Sequence, residues 1–179
     1  MNEEYINDFE LIKSTLKLFG WYDSLLIPSE ICKQDDKIKI KDKYLIDEFD
    51  QRSANEGFLF VLFYIALIVS NDTPYFFSVD NIDASLNPKL CTEIIKILTT
   101  LCKEHDKQLI LTTHNPAILD GLDLTDDEQR LFVISRNKLG RTRAKRITAK
   151  NKPVSSNSEP LKLSEAMLRG YLGGLSKNF

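Results

Sequence analysis

The sequence has no set of cysteines or histidines spaced to bind zinc. Of its 179 residues three are cysteines (Cys32, Cys91 and Cys102) and two are histidines, and no CxxC spacing occurs. An odd number of thiols without such spacing argues against a disulfide framework and favours a reducing compartment. We therefore expect a cytoplasmic protein that holds no structural zinc.

The sequence also lacks a recognisable secretory leader and a run long enough to cross a membrane. Its first residues, MNEEYINDFE, are acidic and polar, whereas a signal peptide begins basic and then turns apolar. The most apolar run, GFLFVLFYIALIV at 57–69, has 13 residues, too few to span roughly 30 Å of hydrocarbon as a helix. We expect a buried core helix here and no membrane partner.

The bulk composition is that of an ordinary globular domain. Apolar residues make up 42% of the chain and charged residues 28%, and the net charge is -2. This length and composition favour one domain with a sizeable core. The overall charge neither favours nor excludes nucleic acid as a partner.

Helical and strand-like patterns alternate along the chain. Helical spacing predicts helices at 4–19, 53–70 and 88–105 and after Pro116, and apolar or alternating runs predict strands at 37–41, 75–80, 108–113 and 131–135, with a hairpin arm near 142–148. Such alternation favours a layered α/β fold with a largely parallel sheet.

The chain divides into three predicted parts. Residues 1–50 form a helical and edge-strand leading region, 51–148 the core, and 149–179 a linker with a C-terminal helix. The polar segment AKNKPVSSNSEP marks the linker, and Ser164 is the predicted cap of the helix after it. In TDDEQ, Asp126 and Asp127 are predicted as first-turn acids of another helix.

Two side chains that could bind a ligand or take part in a reaction follow predicted strands. Asp80 ends the apolar strand YFFSVD, and His114 follows the strand QLILTT. Open α/β sheets collect their ligands at the carboxyl ends of their strands, so these residues predict one shared crevice. Taken alone, His114 also fits a surface histidine or a neighbour of a helix N-cap.

Four motifs resemble, in order, those of ABC-type ATPases in the branch that includes SMC, RecF and the overcoming-lysogenization-defect proteins. RSANEG (52–57) resembles a diverged signature motif, FFSVD the Walker B strand, NIDASLNP the D-loop and TTHNPAIL the switch-histidine segment. The four motifs span about residues 52–120. The resemblance implies a three-layer P-loop NTPase-like lobe that uses ATP and Mg²⁺ within a dimer.

The resemblance also implies roles for individual residues. Asp80 would hold Mg²⁺, and His114 would contact the γ-phosphate or the attacking water. At the signature motif, Ser53 and the amides of Ala54, Asn55 and Gly57 would meet the γ-phosphate held by the partner subunit, with Glu56 at the usual Gln/Glu position. The D-loop residues Asp83, Ser85 and Asn87 would lie across the dimer interface.

The sequence departs from the family pattern at the phosphate-binding loop. A Walker A loop requires GxxxxGK[ST], and none of the glycines at 20, 57, 121, 140, 170, 173 and 174 precedes a Lys followed by Ser or Thr. The chain therefore resembles the C-terminal lobe of an ATPase whose Walker A loop lies in a missing N-terminal part or in another polypeptide. We do not expect this lobe alone to bind ATP tightly.

A second departure is Asn81, which stands where a catalytic Glu is usual. An amide orients water but accepts no proton, and a general base typically contributes about 10²–10⁴-fold. Slow or absent hydrolysis follows, which favours an ATP-gated dimer clamp coupled to an effector such as a nuclease, in phage defence or DNA maintenance. The alternative is that Asn81 only caps a helix or a turn. A non-hydrolysing scaffold or dimerisation module is the other interpretation of the whole chain.

Residues 136–152, RNKLGRTRAKRITAKNK, are strongly basic and contain no acid. They predict sequence-independent contact with the backbone of DNA or RNA, since the stretch has no aromatic residue for base stacking. The alternative is a solvated edge hairpin whose Lys and Arg side chains prevent strand addition.

Overall fold

The computed structural model describes residues 3–26, 37–137, 139–154 and 161–173. The chain forms two compact units. The first comprises the described residues up to Val79 together with Thr100–Ile110, and the second comprises Asp80–Thr99 together with the described residues from Leu111 onward. Within the described ranges, no helix has both the length and the apolar character needed to cross a membrane.

The elements follow the predicted alternation. In chain order they are α1 (Glu3–Thr15), β1 (Tyr22–Leu26), β2 (Lys39–Asp42), β3 (Phe49–Asp50), α2 (Glu56–Val69), β4 (Phe76–Val79), α3 (Pro88–Glu104), β5 (Gln108–Leu111), α4 (Pro116–Leu119), β6 (Leu131–Arg136), β7 (Thr142–Ile147) and α5 (Leu163–Leu168). Cys32, the later part of the predicted linker (155–160) and the tail 174–179 lie outside the described residues. The division into three parts stays a prediction.

The first unit has the apolar helix α2 at its core. Phe58, Val61 and Ile65 are fully buried, because the helical repeat places side chains three and four residues apart on one face. The ring of Phe58 lies 5.1 Å from that of Phe19 and 5.7 Å from that of Tyr22, measured between centroids. The prediction of a buried core helix at 57–69 is confirmed.

Strands β4 and β5 are hydrogen-bonded neighbours, and helix α3 connects them along the chain. A strand–helix–strand connection of this kind joins parallel strands. The α/β fold with a parallel sheet is therefore confirmed. The other described sheets are antiparallel, one formed by β1, β2 and β3 and one by β6 and β7.

Lys107 fixes the loops that lead into these two strands. Its ammonium donates hydrogen bonds to the carbonyl of Ser70 (3.0 Å) and to both the carbonyl and the hydroxyl of Thr73 (2.9 Å each). Ser70 ends α2, so the cation also lies at the negative end of that helix dipole. One side chain thereby sets the start of β4 relative to the start of β5.

The second unit is built around an apolar cluster beneath the β6–β7 hairpin. Its buried members are Leu119, Ile147, Leu161, Leu163, Ala166 and Leu172. Gly121, just after α4, approaches α3 so closely that an added Cβ would lie 2.5 Å from the carbonyl oxygen of Thr92. Position 121 therefore excludes every side chain.

Two local predictions are wrong. The helix α5 begins at Leu163, and Ser164 does not cap it; the amide and hydroxyl of Ser164 instead donate to the carboxylate of Asp120, at 3.0 and 2.7 Å. The TDDEQ segment forms turns rather than a helix. The carboxylate of Asp126 accepts from the amide of Glu128 (3.1 Å), a side-chain-to-backbone bond that competes with helix formation.

Candidate functional site

The candidate site in the second unit lies where the chain leaves β4 and β5. Asp80 directly follows β4 and is exposed. Its carboxylate accepts a hydrogen bond from the hydroxyl of Thr112, the residue after β5. Thr112 also accepts from the amide of Asn81 through its hydroxyl (3.0 Å) and from the amide of Ile82 through its carbonyl (3.1 Å). The end of β5 therefore fixes the segment that carries the candidate metal ligand.

Asn81 adopts a left-handed backbone conformation with φ of 52°. Its carbonyl accepts from the amide of Ala84 at 2.9 Å, which closes a four-residue turn. Asn is one of the few residues that enter this region at low cost, so the turn interpretation of Asn81 has a structural basis. Its role as the replacement for a catalytic Glu stays a prediction.

The D-loop segment continues this turn. The carboxylate of Asp83 accepts from the hydroxyl of Thr113 at 2.5 Å. Ser85 has a positive φ of 58° and is exposed. Directly before Asp83, the side chain of Ile82 is fully buried and anchors the loop. Asn87 caps α3, because its side-chain oxygen accepts from the amide of Leu90 at 3.0 Å. The predicted interface roles of these residues stay predictions.

His114 is exposed, directly after the two threonines that contact Asp80 and Asp83. Within the part of the chain that the structure describes, its ring makes no hydrogen bond. The next residue, Asn115, caps α4 by accepting from the amide of Ala117 at 3.0 Å, and its amide group donates to the sulfur of Cys91 at 3.4 Å. The prediction that His114 neighbours a helix N-cap is thus correct, and its ring is also available to a ligand.

Cysteine chemistry has little support at this site. Cys91 is fully buried, and burial, followed by the nearby charge of Asp83, raises the pKa of its thiol. Burial likewise raises the pKa of Cys102 to about 11. Both thiols are therefore protonated near neutral pH, and a thiol without its thiolate is a poor nucleophile.

The signature-like segment lies in the first unit. Asn55 is the N-cap of α2, and its side-chain oxygen accepts from the amides of Gly57 (2.9 Å) and Phe58 (3.4 Å). The amide of Ala54 donates to the carbonyl of Gln51 at 3.3 Å, and Ser53 and Glu56 are exposed. The amides of Ala54 and Gly57 would have to exchange these bonds to contact a phosphate, and that contact stays a prediction.

Sequence reasoning missed the threonines at the end of β5 and the cap at Asn55. The signal for the cap is an Asn that directly precedes a helical apolar run. The signal for Thr112 and Thr113 is that two hydroxyl residues stand between the strand and His114. Each hydroxyl can accept a hydrogen bond from a backbone amide and donate one to a carboxylate.

Magnesium at this site would take most of its ligands from water and a bound nucleotide. Among the described residues no group of three or more His, Cys, Asp or Glu side chains could hold a metal ion. Asp80 nevertheless supplies an exposed carboxylate, a hard oxygen ligand. Mg²⁺ typically takes one or two carboxylates and completes its shell with waters and phosphate oxygens. Asp80 therefore fits the single protein ligand of a magnesium–nucleotide complex.

The basic stretch forms most of the β6–β7 hairpin, whose antiparallel register pairs Phe132 with Arg146 and Ile134 with Ala144. Directly paired residues share a face, and on this face Phe132 is 52% and Ile134 59% exposed. Every residue of β7 except Ile147 is exposed. The hairpin surface therefore includes an aromatic ring from β6, which the basic stretch alone lacks.

Comparison with known proteins supports the fold. Among 24 matching chains of solved structures, one comes from a study of ATP-driven dimerization and DNA-stimulated activation of SMC ATPases. Its superposition on this chain gives a TM-score of 0.57 with 15% sequence identity, and the match covers 82% of this chain and 89% of that chain. Comparison with curated protein sequences found no match. The α/β fold is thus the P-loop NTPase type seen in SMC ATPases.

A protein-family match covers the core and the candidate site. The family described as "AAA domain, putative AbiEii toxin, Type IV TA system" matches residues 15–120, which is more than half of the chain. This range contains all four motifs and every candidate residue from Ser53 to His114. The chain therefore belongs to this AAA-domain family.

Proposed function

We propose that this chain is the C-terminal lobe of an ABC-type ATPase that works as an ATP-gated dimer clamp with slow or absent hydrolysis. The observation that carries the proposal is the bond from Thr112 to Asp80 at the ends of two neighbouring parallel strands. It holds the exposed carboxylate of Asp80 against Thr112, which lies two residues before His114 along the chain. A magnesium–nucleotide complex needs a ligand of this kind on one side and a phosphate sensor on another.

Each residue of the site has a proposed task. Asp80 binds Mg²⁺ directly or through water, and the bound ion would neutralise phosphate charge. His114 donates a hydrogen bond to the terminal phosphate or to the attacking water. Ser53 and the amides of Asn55 and nearby residues contact the nucleotide of the partner subunit. Asn81 orients water without accepting its proton, which slows hydrolysis and prolongs the dimer.

The exposed apolar side chains support a partner polypeptide. On the neighbouring strands β4 and β5, Phe76 is 50% and Ile110 53% exposed. In the second unit, Phe132 and Ile134 are similarly exposed. Clustered apolar exposure marks surfaces that another element covers. We propose a second copy and the segment that carries the Walker A loop as the partners, with a nuclease-type effector in phage defence or DNA maintenance downstream.

The proposal is tested on the reconstituted ATPase, meaning this chain together with a segment that carries a Walker A loop. Asp80→Asn should weaken binding of Mg·ATP by at least about tenfold, equivalent to about 1.4 kcal/mol. Asp47→Asn, the same change at an exposed residue of the first unit, should leave affinity within about twofold. Isothermal titration and sedimentation with and without Mg·ATP measure both affinity and dimerisation.

The scaffold interpretation replaces this proposal under one result. If the reconstituted protein neither binds ATP nor changes its assembly state with ATP, the likeness to ATPases is only architectural. The chain then serves as a non-hydrolysing dimerisation module.

A second candidate function is nucleic-acid binding through the β6–β7 hairpin. It is favoured by Arg141, Arg143 and Arg146, which are exposed and form no ion pair among the described residues. Replacing these three by Ala should reduce the salt slope of DNA binding by up to about 3, because each phosphate contact contributes nearly one. Replacing Lys17, Lys39 and Lys89 instead removes the same charge elsewhere. If the two triple variants change the salt slope equally, the effect comes from the overall charge of the chain, and the hairpin is not the DNA-binding surface.

A further inference from the structure

Two adjacent threonines link three functional segments of the second unit. The hydroxyl of Thr112 donates to Asp80 and accepts from the amide of Asn81. The hydroxyl of Thr113 donates to Asp83 at 2.5 Å and accepts from the amide of Asn115 at 2.9 Å. Each hydroxyl therefore contacts a loop after β4 and a backbone amide at the same time.

The donor and acceptor pattern fixes the geometry of both side chains. A threonine hydroxyl has one hydrogen to donate and lone pairs to accept with, and here both functions are in use. Bonds to a carboxylate are stronger than bonds between neutral groups. Valine has the same shape and lacks both functions, so a Thr→Val change removes the link with little change in volume.

Thr113 lies between the amide that follows His114 and the carboxylate of the D-loop. We propose that Thr113 is a positioning residue that couples the switch-histidine segment to the D-loop, while Thr112 holds Asp80 and Asn81 in place. The coupling rests on the proposed function, in which His114 senses phosphate and Asp83 lies at the dimer interface. A ligand that pulls His114 displaces the 114–115 peptide, and the shared hydroxyl carries that displacement to Asp83.

A second contact runs beside this one. The side chain of Asn115 donates to the sulfur of Cys91 at 3.4 Å, and that thiol lies 3.8 Å from the carbonyl of Leu86 at the other end of the D-loop. The switch segment is therefore linked to the D-loop near both of its ends, directly at Asp83 and through Cys91 of α3 at Leu86. Two contacts resist rotation of the loop, so displacement of the switch segment shifts the loop as a body.

The first test uses this chain alone and measures amide hydrogen exchange by NMR. Thr113→Val should accelerate exchange at Asn115 and, together with it, at the D-loop amides of Ala84 and Leu86, each by about fivefold. Thr113→Ser retains the hydroxyl and should stay within about twofold of the wild type. Acceleration at Asn115 alone, or at neither segment, overturns the coupling.

Two further variants make this test independent of folding defects. Thr99→Val is the matched control, because the hydroxyl of Thr99 bonds only to carbonyls of its own helix, and it should leave both segments unchanged. Asp83→Ala breaks the link from the other end and should accelerate exchange at Asn115. If Asp83→Ala leaves Asn115 unchanged, the coupling is wrong even where Thr113→Val fails to fold.

The second test uses the reconstituted ATPase and separates nucleotide affinity from dimerisation. Thr113→Val should bind Mg·ATP within about twofold of the wild type and weaken ATP-dependent dimerisation about tenfold, and Thr113→Ser should restore it. Unchanged dimerisation of Thr113→Val overturns the coupling. If the wild type itself neither binds ATP nor dimerises, the proposed function fails instead, and the exchange experiment alone decides the coupling.

Discussion

Asn81 offers the sharpest test of whether a residue in the site serves conformation or chemistry. Its φ of 52° places it in the left-handed region, where L-residues other than Asn and Asp lose roughly 1–2 kcal/mol. The backbone bonds of Asn81 to Thr112 and from Ala84 do not depend on the side chain. We therefore expect Asn81→Ala and Asn81→Glu to lower the free energy of unfolding by about 1 kcal/mol, and Asn81→Gly to be nearly neutral.

Urea unfolding of the chain alone measures these differences. Equal stability of Asn81→Ala and the wild type would refute the conformational reasoning, because the left-handed turn would then carry no cost for a side chain with a Cβ.

The same variants separate the chemical role in the reconstituted ATPase. If the missing carboxylate limits hydrolysis, Asn81→Glu should raise turnover by up to about 10²–10⁴-fold despite its lower stability, and Asn81→Gly should not. Equal turnover of the Asn, Gly and Glu forms would show that position 81 sets only the turn. The steady-state release of phosphate at saturating Mg·ATP is the measurement.

Two further predictions concern stability. The hydroxyl of Tyr22 is buried without a hydrogen-bond partner in the described residues, and burial, then the charges of Asp23 and Glu10, raises its pKa from 10.0 to about 12. Because the folded chain resists ionisation of Tyr22, the free energy of unfolding should be independent of this group below pH 10 and should fall as the pH rises from 10 toward 12. Tyr22→Phe should abolish that fall and raise the free energy of unfolding at pH 7 by about 1–2 kcal/mol, since it removes an unpaired buried hydroxyl. Urea unfolding measures both effects, and a variant less stable than the wild type at pH 7 would contradict the prediction. Lys107→Met removes three hydrogen bonds made by a part-buried ammonium and should lower the melting temperature by about 5–10 °C. Lys89→Met, the same change at an exposed position, should leave the melting temperature unchanged. Equal melting curves for the two variants would show that Lys107 does not stabilise the loops before β4 and β5.

The alternation of elements was predictable because each element carries its own period. The run at 57–69 is apolar on every side and buries one face, whereas Phe63 is 55% exposed, and Asp80 and His114 follow strands as their sequence positions suggested. What sequence could not reveal is contact between distant residues. Ser164 looks like a helix cap, but Asp120 lies 44 residues away and takes its hydrogen bonds.

The candidate site shows the same division. The identity of its charged residues was visible in the motifs, whereas the geometry that supports them was not. Thr112 bonds to Asp80 across 32 residues, and Thr113 bonds to Asp83 across 30. Only the pairing of β4 with β5 brings these residues together, and pairing depends on tertiary packing rather than on local pattern.

The β4–β5 pair also has a consequence for preparing the protein. In the described part of the chain this sheet has two strands only, so each strand has one edge whose backbone groups face away from its partner. Such an edge, with apolar side chains like Phe76 and Ile110 half-exposed beside it, is a template for strands of other molecules. Chain produced alone should therefore self-associate as its concentration rises, so that exchange and unfolding are measured on dilute samples, and co-expression with the proposed Walker A segment should keep concentrated material monodisperse.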